Sequence, residues 1–139
     1  MSAGLDAAAR LQTLHTPAQQ CEYLLRLGLQ TPEQPSLRSA SHRIPGCQTP
    51  LWIAVECRSG IVHWQADSGS ALVRGVLALF HERYDGRTLE EIRCDPPDFL
   101  HHISGEILSP ELRRNGLTAC YRRIACLTTD KDIEQKNKK

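Results

Sequence analysis

Apolar residues first recur at helical spacing between Leu5 and His15, in the Ala- and Leu-rich run LDAAARLQTLH, which predicts a helix. Thr16 and Pro17 form a second start signal. The hydroxyl can cap orphan amides, and the proline's missing N–H costs nothing in a first turn. The helix they open runs through AQQCEYLLRLG, with Cys21, Leu24, Leu25 and Gly28 on one apolar face and Gly28 near its end. Residues 30–43 lose all periodicity and hold Pro32 and Pro35, which predicts a loop.

At Leu51 the period changes to two. Leu51, Ile53 and Val55 alternate with Trp52, Ala54 and Glu56, and Ile61 and His63 oppose Val62 and Trp64. With Arg58-Ser59-Gly60 between them, the runs Leu51–Cys57 and Ile61–Gln65 predict a hairpin, and Ser41–Ile44 is placed as a short third strand. Asp67–Ser68 is read as the cap of a helix whose apolar face is Leu72, Val73, Val76, Leu79 and Phe80. Gly75 lies inside that helix, where glycine costs about 1 kcal/mol relative to alanine, so a close backbone approach is expected there. Gly86 ends the helix, and Thr88 with Glu91 forms a capping box. After the break at Pro96-Pro97, Ser109–Pro110 opens a last helix with Leu117, Cys120, Tyr121 and Ile124 on one face. Clustered strands and segregated helices predict an α+β fold: a small antiparallel three-stranded sheet flanked by helices on one side.

The chain's 139 residues fit one domain, placed at 1–130, with 131–139 as a polar solvated tail. All four lysines lie in that tail, Lys131, Lys136, Lys138 and Lys139, among Asp130, Asp132 and Glu134. A formal net charge of +1 gives no bulk attraction to nucleic acid or membrane. The N-terminal run has no basic-then-apolar leader pattern, and no apolar run approaches the ~18 residues of a membrane span. A cytoplasmic protein with reduced thiols is expected. Glycine-rich phosphate loops are absent from the sequence.

Six cysteines, at 21, 47, 57, 94, 120 and 126, show neither CxxC pairs nor zinc-finger spacing with histidine, so neither a disulfide framework nor a metal site is expected. Cys21 and Cys120 fall on apolar helical faces and read as small buried hydrophobes. Cys57 ends a strand, Cys126 lies near the end of the last helix, and Cys94 precedes Asp95-Pro96 in a loop without an evident activating neighbour. Cys47 differs. It follows Pro45-Gly46 and lies on no helical or strand face. Gly46 permits a positive φ, and His42 and Arg43 are near enough in sequence to supply the positive potential that favours a reactive thiolate. Two readings stay open from the residues: a reactive loop thiol, or a turn cysteine tucked beneath the sheet. His63 and the pair His101-His102 read as packing or solvated residues.

RIPGCQTPLWI resembles the active-site segment of the SufE family of sulfur acceptors, I-x-G-C-Q-S-x-V-W, through Ile44, Gly46, Cys47, Gln48 and Trp52. ADSGSALVRGVLALF is similar to the family's G-D-S-D-A-x-I-V-K/R-G-L, through Asp67, Ser68, Ala71, Val73, Arg74 and Gly75. YDGRTLEEI resembles Y-x-x-x-T-P-x-x-I, and LSPELRRNGL resembles L-T-x-S-R-x-x-G-L, through Leu108, Arg113, Gly116 and Leu117. The four segments occur in the family's order, and the resemblance covers residues 5–127. The chain departs from the pattern at Pro50, at Gly69 and Ala66, and by one additional residue before Arg113.

The resemblance implies a SufE/NifU-like fold, shared in outline with proteins that scaffold iron–sulfur clusters. It implies that Cys47 accepts persulfide sulfur from a pyridoxal-phosphate-dependent cysteine desulfurase of the SufS/CsdA kind, that the chain stimulates that enzyme, and that sulfur passes to an iron–sulfur scaffold such as SufBCD. The chain would be a carrier and activator rather than an independent enzyme, a monomer or homodimer, with no cofactor of its own and no nucleic-acid or membrane partner. Gly46 and Gln48 shape the cysteine loop, Arg113 stands near the docking surface or the persulfide, and Asp67 is first a helix cap. Two alternatives carry different chemistry. A metal or cluster scaffold needs three cysteines around one site, and a peroxidatic thiol enzyme needs a positioned base. The sequence identifies neither.

Overall fold

A computed structural model describes residues 3–126. The expected polar tail at 131–139 lies outside the described residues. The elements run α1 (Ala3–Gln12), α2 (Pro17–Gln30), β1 (Leu51–Arg58), β2 (Ile61–Ser68), α3 (Ala71–Tyr84), α4 (Leu89–Arg93) and α5 (Thr118–Ala125). Short 3-10 turns lie at Pro35–Leu37 and Asp98–His102, and a π-helical turn, Leu112–Leu117, leads into α5. The α+β class is as the patterning predicts.

Local signals set several boundaries. The Thr16 hydroxyl accepts from the Gln19 amide at 3.2 Å while the Gln19 side chain accepts from the Thr16 amide, and Thr88 and Glu91 close the same reciprocal box at α4. Each such cap is worth about 1 kcal/mol. At Ser109 the hydroxyl accepts from the Leu112 amide and opens the last helix. α1 stops at Gln12, short of His15, where the Thr13 hydroxyl turns back to the Arg10 carbonyl.

Among the described residues the sheet has two strands, not three. β1 and β2 pair antiparallel with Leu51 opposite Ser68, Val55 opposite Trp64 and Arg58 opposite Ile61. The expected third strand contracts to a single antiparallel bridge, Arg43 with Trp52. Two bonds make it: Ile44 N–H to the Leu51 carbonyl at 3.0 Å and Ile53 N–H to the His42 carbonyl at 2.9 Å. Pairing ends there because Pro45 lacks a donor and Gly46 takes a left-handed φ of 78°, turning the chain out of the sheet plane.

Asp67 is also not a helix cap. β2 runs on through Ser68, so Asp67 sits in the strand opposite Trp52, and Ser70 caps α3 by accepting from the Val73 amide. Fully buried, Asp67 accepts from Arg38 Nε at 2.6 Å through Oδ2, and its Oδ1 has no partner.

Leu51, Ile53, Val62 and Trp64 face the core, where Trp64 meets Phe80 of α3 edge-on at 6.1 Å and Phe80 meets Phe99 at 5.2 Å. Aromatic pairs of this kind add about 0.5–1.5 kcal/mol each beyond area burial. α2 lies across α3 at the glycine crossing. A Cβ on Gly75 would fall 1.9 Å from the Leu24 carbonyl oxygen, and one on Gly28 would fall 1.7 Å from that of Ala71. Gly28 lies near the end of α2, as expected, and also makes the crossing; the helix continues to Gln30. The buried stripe of α2 is Gln20, Leu24 and Gly28, which leaves Leu25 at its rim, 38% exposed against expectation. Gln20, a polar residue in that stripe, ties α2 to the far end of the chain. Its Nε2 donates to the His102 carbonyl at 2.7 Å and its Oε1 accepts from the Ser104 amide at 2.9 Å.

Candidate functional site

The loop at residues 45–50 leaves and rejoins the sheet at one point. Ile44 and Leu51, its flanking residues, are bonded to each other, so the segment is closed at its neck. α5 reinforces the neck from outside: Arg123 donates to the His42 carbonyl at 3.0 Å and to the Arg43 carbonyl at 3.2 Å. Trp52 beside it carries the Arg38 and Arg43 guanidiniums at 5.2 and 5.9 Å from its ring centre. The Ser68 hydroxyl donates to the Pro50 carbonyl at 2.9 Å.

Within this loop the Cys47 side chain turns inward. Cys47 is 6% exposed and belongs to the main apolar cluster with Leu51, Leu112 and Leu117. Of the two readings the residues left open, a reactive loop thiol or a tucked turn cysteine, the side chain is placed as in the second. Its pKa is raised, first by burial. A hydrogen bond from the Thr49 backbone lowers it, the Glu111 carboxylate raises it and Arg43 lowers it. The thiol is held protonated and sheltered.

Three further residues meet here that sequence reasoning did not bring together. Glu111 Oε1 accepts from the Gln48 amide at 2.9 Å. Gly116 lies against the sulfur, 2.9 Å being the distance from its hypothetical Cβ to Cys47 Sγ. Cys120 lies fully buried behind the loop, near enough that Cys47's charge raises its pKa, though burial dominates and pushes it up to about 12. Glu111 stands 63 residues from Gln48, and no local pattern connects them.

Of the sequence-predicted site residues, Gly46, Cys47 and Gln48 are together in the loop. Arg113 is directed elsewhere. Its Nη2 donates to the Ile103 carbonyl at 2.7 Å, its buried Nε has no partner, and it lines a cleft of about 600 Å³ with Leu100, Arg114, Tyr121 and Arg122. Asp67, opposite Trp52 in the sheet, is engaged with Arg38. The cleft of about 730 Å³ along the sheet, lined by His63, Trp64, His81 and Asp85 among others, does not include Cys47 either. His101 and His102 are exposed, as expected. Cys94 and Cys126 are exposed and Cys21 and Cys57 half-buried. Among the described residues no group of three histidine, cysteine or acidic side chains is arranged to hold a metal ion, and no helix is long and apolar enough to cross a membrane.

The arrangement is a single loop thiol, stored in the core and bordered by a carboxylate and a glycine of one helical turn. A family model, "SufE: Fe-S metabolism associated domain", matches residues 6–128. The chain belongs to the SufE family. Its fold is similar to the solution structure of a hypothetical protein from Thermus thermophilus, with a TM-score of 0.67 and 21% sequence identity over 98% of this chain and 96% of that one. As a SufE protein the chain is associated with iron–sulfur metabolism.

Proposed function

We propose that this SufE protein is a sulfur carrier in which Cys47 accepts persulfide sulfur from a cysteine desulfurase, stimulates that enzyme by clearing its product, and delivers the sulfur to an iron–sulfur cluster scaffold. The observation that carries the reading is the placement of Cys47: one thiol, on a loop closed at its neck, within the segment that matches the family motif.

The chemistry is thiol exchange at sulfur. Cys47 first loses its proton. Its thiolate then attacks the terminal sulfur of the desulfurase's cysteine persulfide, forming a new S–S bond as the old one breaks. The desulfurase cysteine leaves as a thiolate and Cys47 becomes the persulfide, with no net oxidation or reduction. The same step with Cys47–S–SH as donor unloads the sulfur. In the sheltered state the thiol is protonated and out of reach, so transfer follows local displacement of residues 45–50. The neck bonds at Ile44 and Ile53 and the Arg123 contacts to His42 and Arg43 keep the sheet intact while the loop moves. Pyridoxal phosphate, the group that strips sulfur from free cysteine, resides on the desulfurase in this reading, and the carrier needs no cofactor.

Intact-protein mass spectrometry with thiol trapping tests this, after mixing with a cysteine desulfurase and free cysteine. Wild type gains about 32 Da at Cys47 and raises desulfurase turnover, and Cys47→Ser does neither. Absence of the adduct with every desulfurase tried would refute the carrier reading, and an adduct retained in Cys47→Ser would move the acceptor to another cysteine.

A further inference from the structure

Helical geometry from 110 onward is interrupted by the π turn Leu112–Leu117, in which the Thr118 amide reaches five residues back to the Arg113 carbonyl. An i→i+5 ring holds one residue more than an α-helical ring, so the helix is locally widened here. The Thr118 hydroxyl, donating to the same carbonyl at 2.8 Å, fills the widened turn. Gly116 and Leu117, which the family motif shares, stay against Cys47 and the core. Glu111, on the other side of the widened turn, is brought to the loop, where its carboxylate takes the Gln48 amide at 2.9 Å.

We infer that Glu111 is a latch for the Cys47 loop: its carboxylate holds the loop closed through the Gln48 amide and sets how readily the thiol is released for sulfur transfer. Glu111 is a positioning residue and takes no part in the exchange itself. The inference rests on Cys47 as acceptor, but the latch is measurable without sulfur. Charge and hydrogen bond act in the same direction. An ionised acceptor makes a bond roughly twice as strong as a neutral one, and the same negative charge disfavours the thiolate beside it. The other groups facing the thiol are Arg43 from the neck, which favours the thiolate, and Cys120 from α5, which is buried and protonated. The remaining ties of the loop, Ser68 to Pro50 and the neck bonds, lie at its ends, so the Glu111 contact is the bond across its tip.

The experiment is alkylation of each cysteine by iodoacetamide, followed by peptide mapping across pH 6–10, on wild type, Glu111→Ala and Glu111→Gln. Glu111→Ala is expected to speed Cys47 alkylation on the order of tenfold, the size of one lost charged hydrogen bond, while Cys120 stays protected. Glu111→Gln keeps an acceptor for the Gln48 amide but not the charge. It is expected to lie between the two in rate, with the Cys47 inflection moved to lower pH. A Cys47 rate and inflection unchanged in both variants would overturn the latch, and so would acceleration of Cys120 together with Cys47, which reports loosening of the whole domain. If Glu111→Ala does not fold, the Glu111→Gln inflection alone decides. Persulfide loading by a desulfurase is measured on the same samples. Loading without any alkylation response removes the latch and keeps the carrier. An alkylation response without loading removes the carrier reading and keeps the loop contact.

Discussion

Gly116 reaches the Cys47 sulfur with no side chain of its own, and a Cβ there would stand 2.9 Å from Sγ. The next atoms it would meet are Leu112 Cδ1 at 3.0 Å and Leu51 Cδ2 at 3.4 Å. All are side-chain ends that can give way. Gly116→Ala is therefore expected to displace the thiol rather than break the fold. The gain of about 1 kcal/mol in helix propensity offsets part of an overpacking cost of about 1–3 kcal/mol. The urea midpoint should move little, while Cys47 alkylation rises severalfold. A thiol no more reactive than in wild type would contradict the contact.

Glycines at the α2–α3 crossing respond differently, because the atoms facing them are backbone. Gly75→Ala and Gly28→Ala would drive a methyl group into the Leu24 and Ala71 carbonyls. Each should cost about 3 kcal/mol or more. Gly46→Ala meets nothing within 4 Å but must hold a φ of 78°, at a cost of about 1–2 kcal/mol. Chemical denaturation orders the three variants, and a Gly75→Ala protein as stable as Gly46→Ala would contradict the close crossing.

The pH dependence of Cys47 follows from its burial. Because the folded thiol has a raised pKa, a smaller fraction is thiolate at neutral pH than for a free cysteine of pKa about 8.5. In native protein the Cys47 alkylation rate should keep climbing past the pH at which it levels off in guanidinium, and the exposed Cys94 and Cys126 should be labelled first. A native inflection at or below the denatured one would mean the thiol is not sheltered in solution.

Stability in acid turns on Asp95. A hydrogen bond from Arg83 lowers its pKa most, burial opposes it, and a hydrogen bond from Arg87 lowers it further. A carboxyl with a depressed folded pKa contributes fully above its unfolded value of about 3.9 and loses that contribution as pH falls toward the folded value. Asp95→Asn should cost about 1–3 kcal/mol at pH 7, and its disadvantage relative to wild type should shrink below about pH 4. Thermal melts at pH 7 and pH 3 would show it. An equal deficit at both values would rule out the charge as the source.

What could be read from sequence was what short stretches of chain decide alone. The Thr16-Pro17 and Thr88–Glu91 caps, the alternation from Leu51 to Trp64 and the interior Gly75 each depend on neighbours a few residues away, and the structure bears them out. The misplacements share another cause. Asp67 and Ser70 are both acceptable caps, and how far β2 continues decides between them. Ser41–Ile44 has strand-like residues, but Pro45-Gly46 and the grip of Arg123 on His42 and Arg43 limit it to a bridge. Leu25 and Leu24 are equally apolar, and only the placing of α3 buries one of them. At the site, the motif around Cys47 was legible, whereas its inward turn, Glu111 and Cys120 come from the last helix folding over the loop. The motif placed Arg113 near the docking surface or the persulfide, and the structure sets it beside a separate cleft with Tyr121 and Arg122, where its Nη2 donates to the Ile103 carbonyl.

Cys120 gives the shelter a second meaning. A thiolate beside a loaded Cys47 would attack the inner sulfur, close a disulfide and expel the cargo as hydrosulfide. Burial pushes the pKa of Cys120 up to about 12, which holds its thiol protonated at neutral pH. In the proposed carrier, the apolar packing that hides Cys47 would thus also silence a neighbouring thiol able to discharge it, and the cargo would not leak between partners.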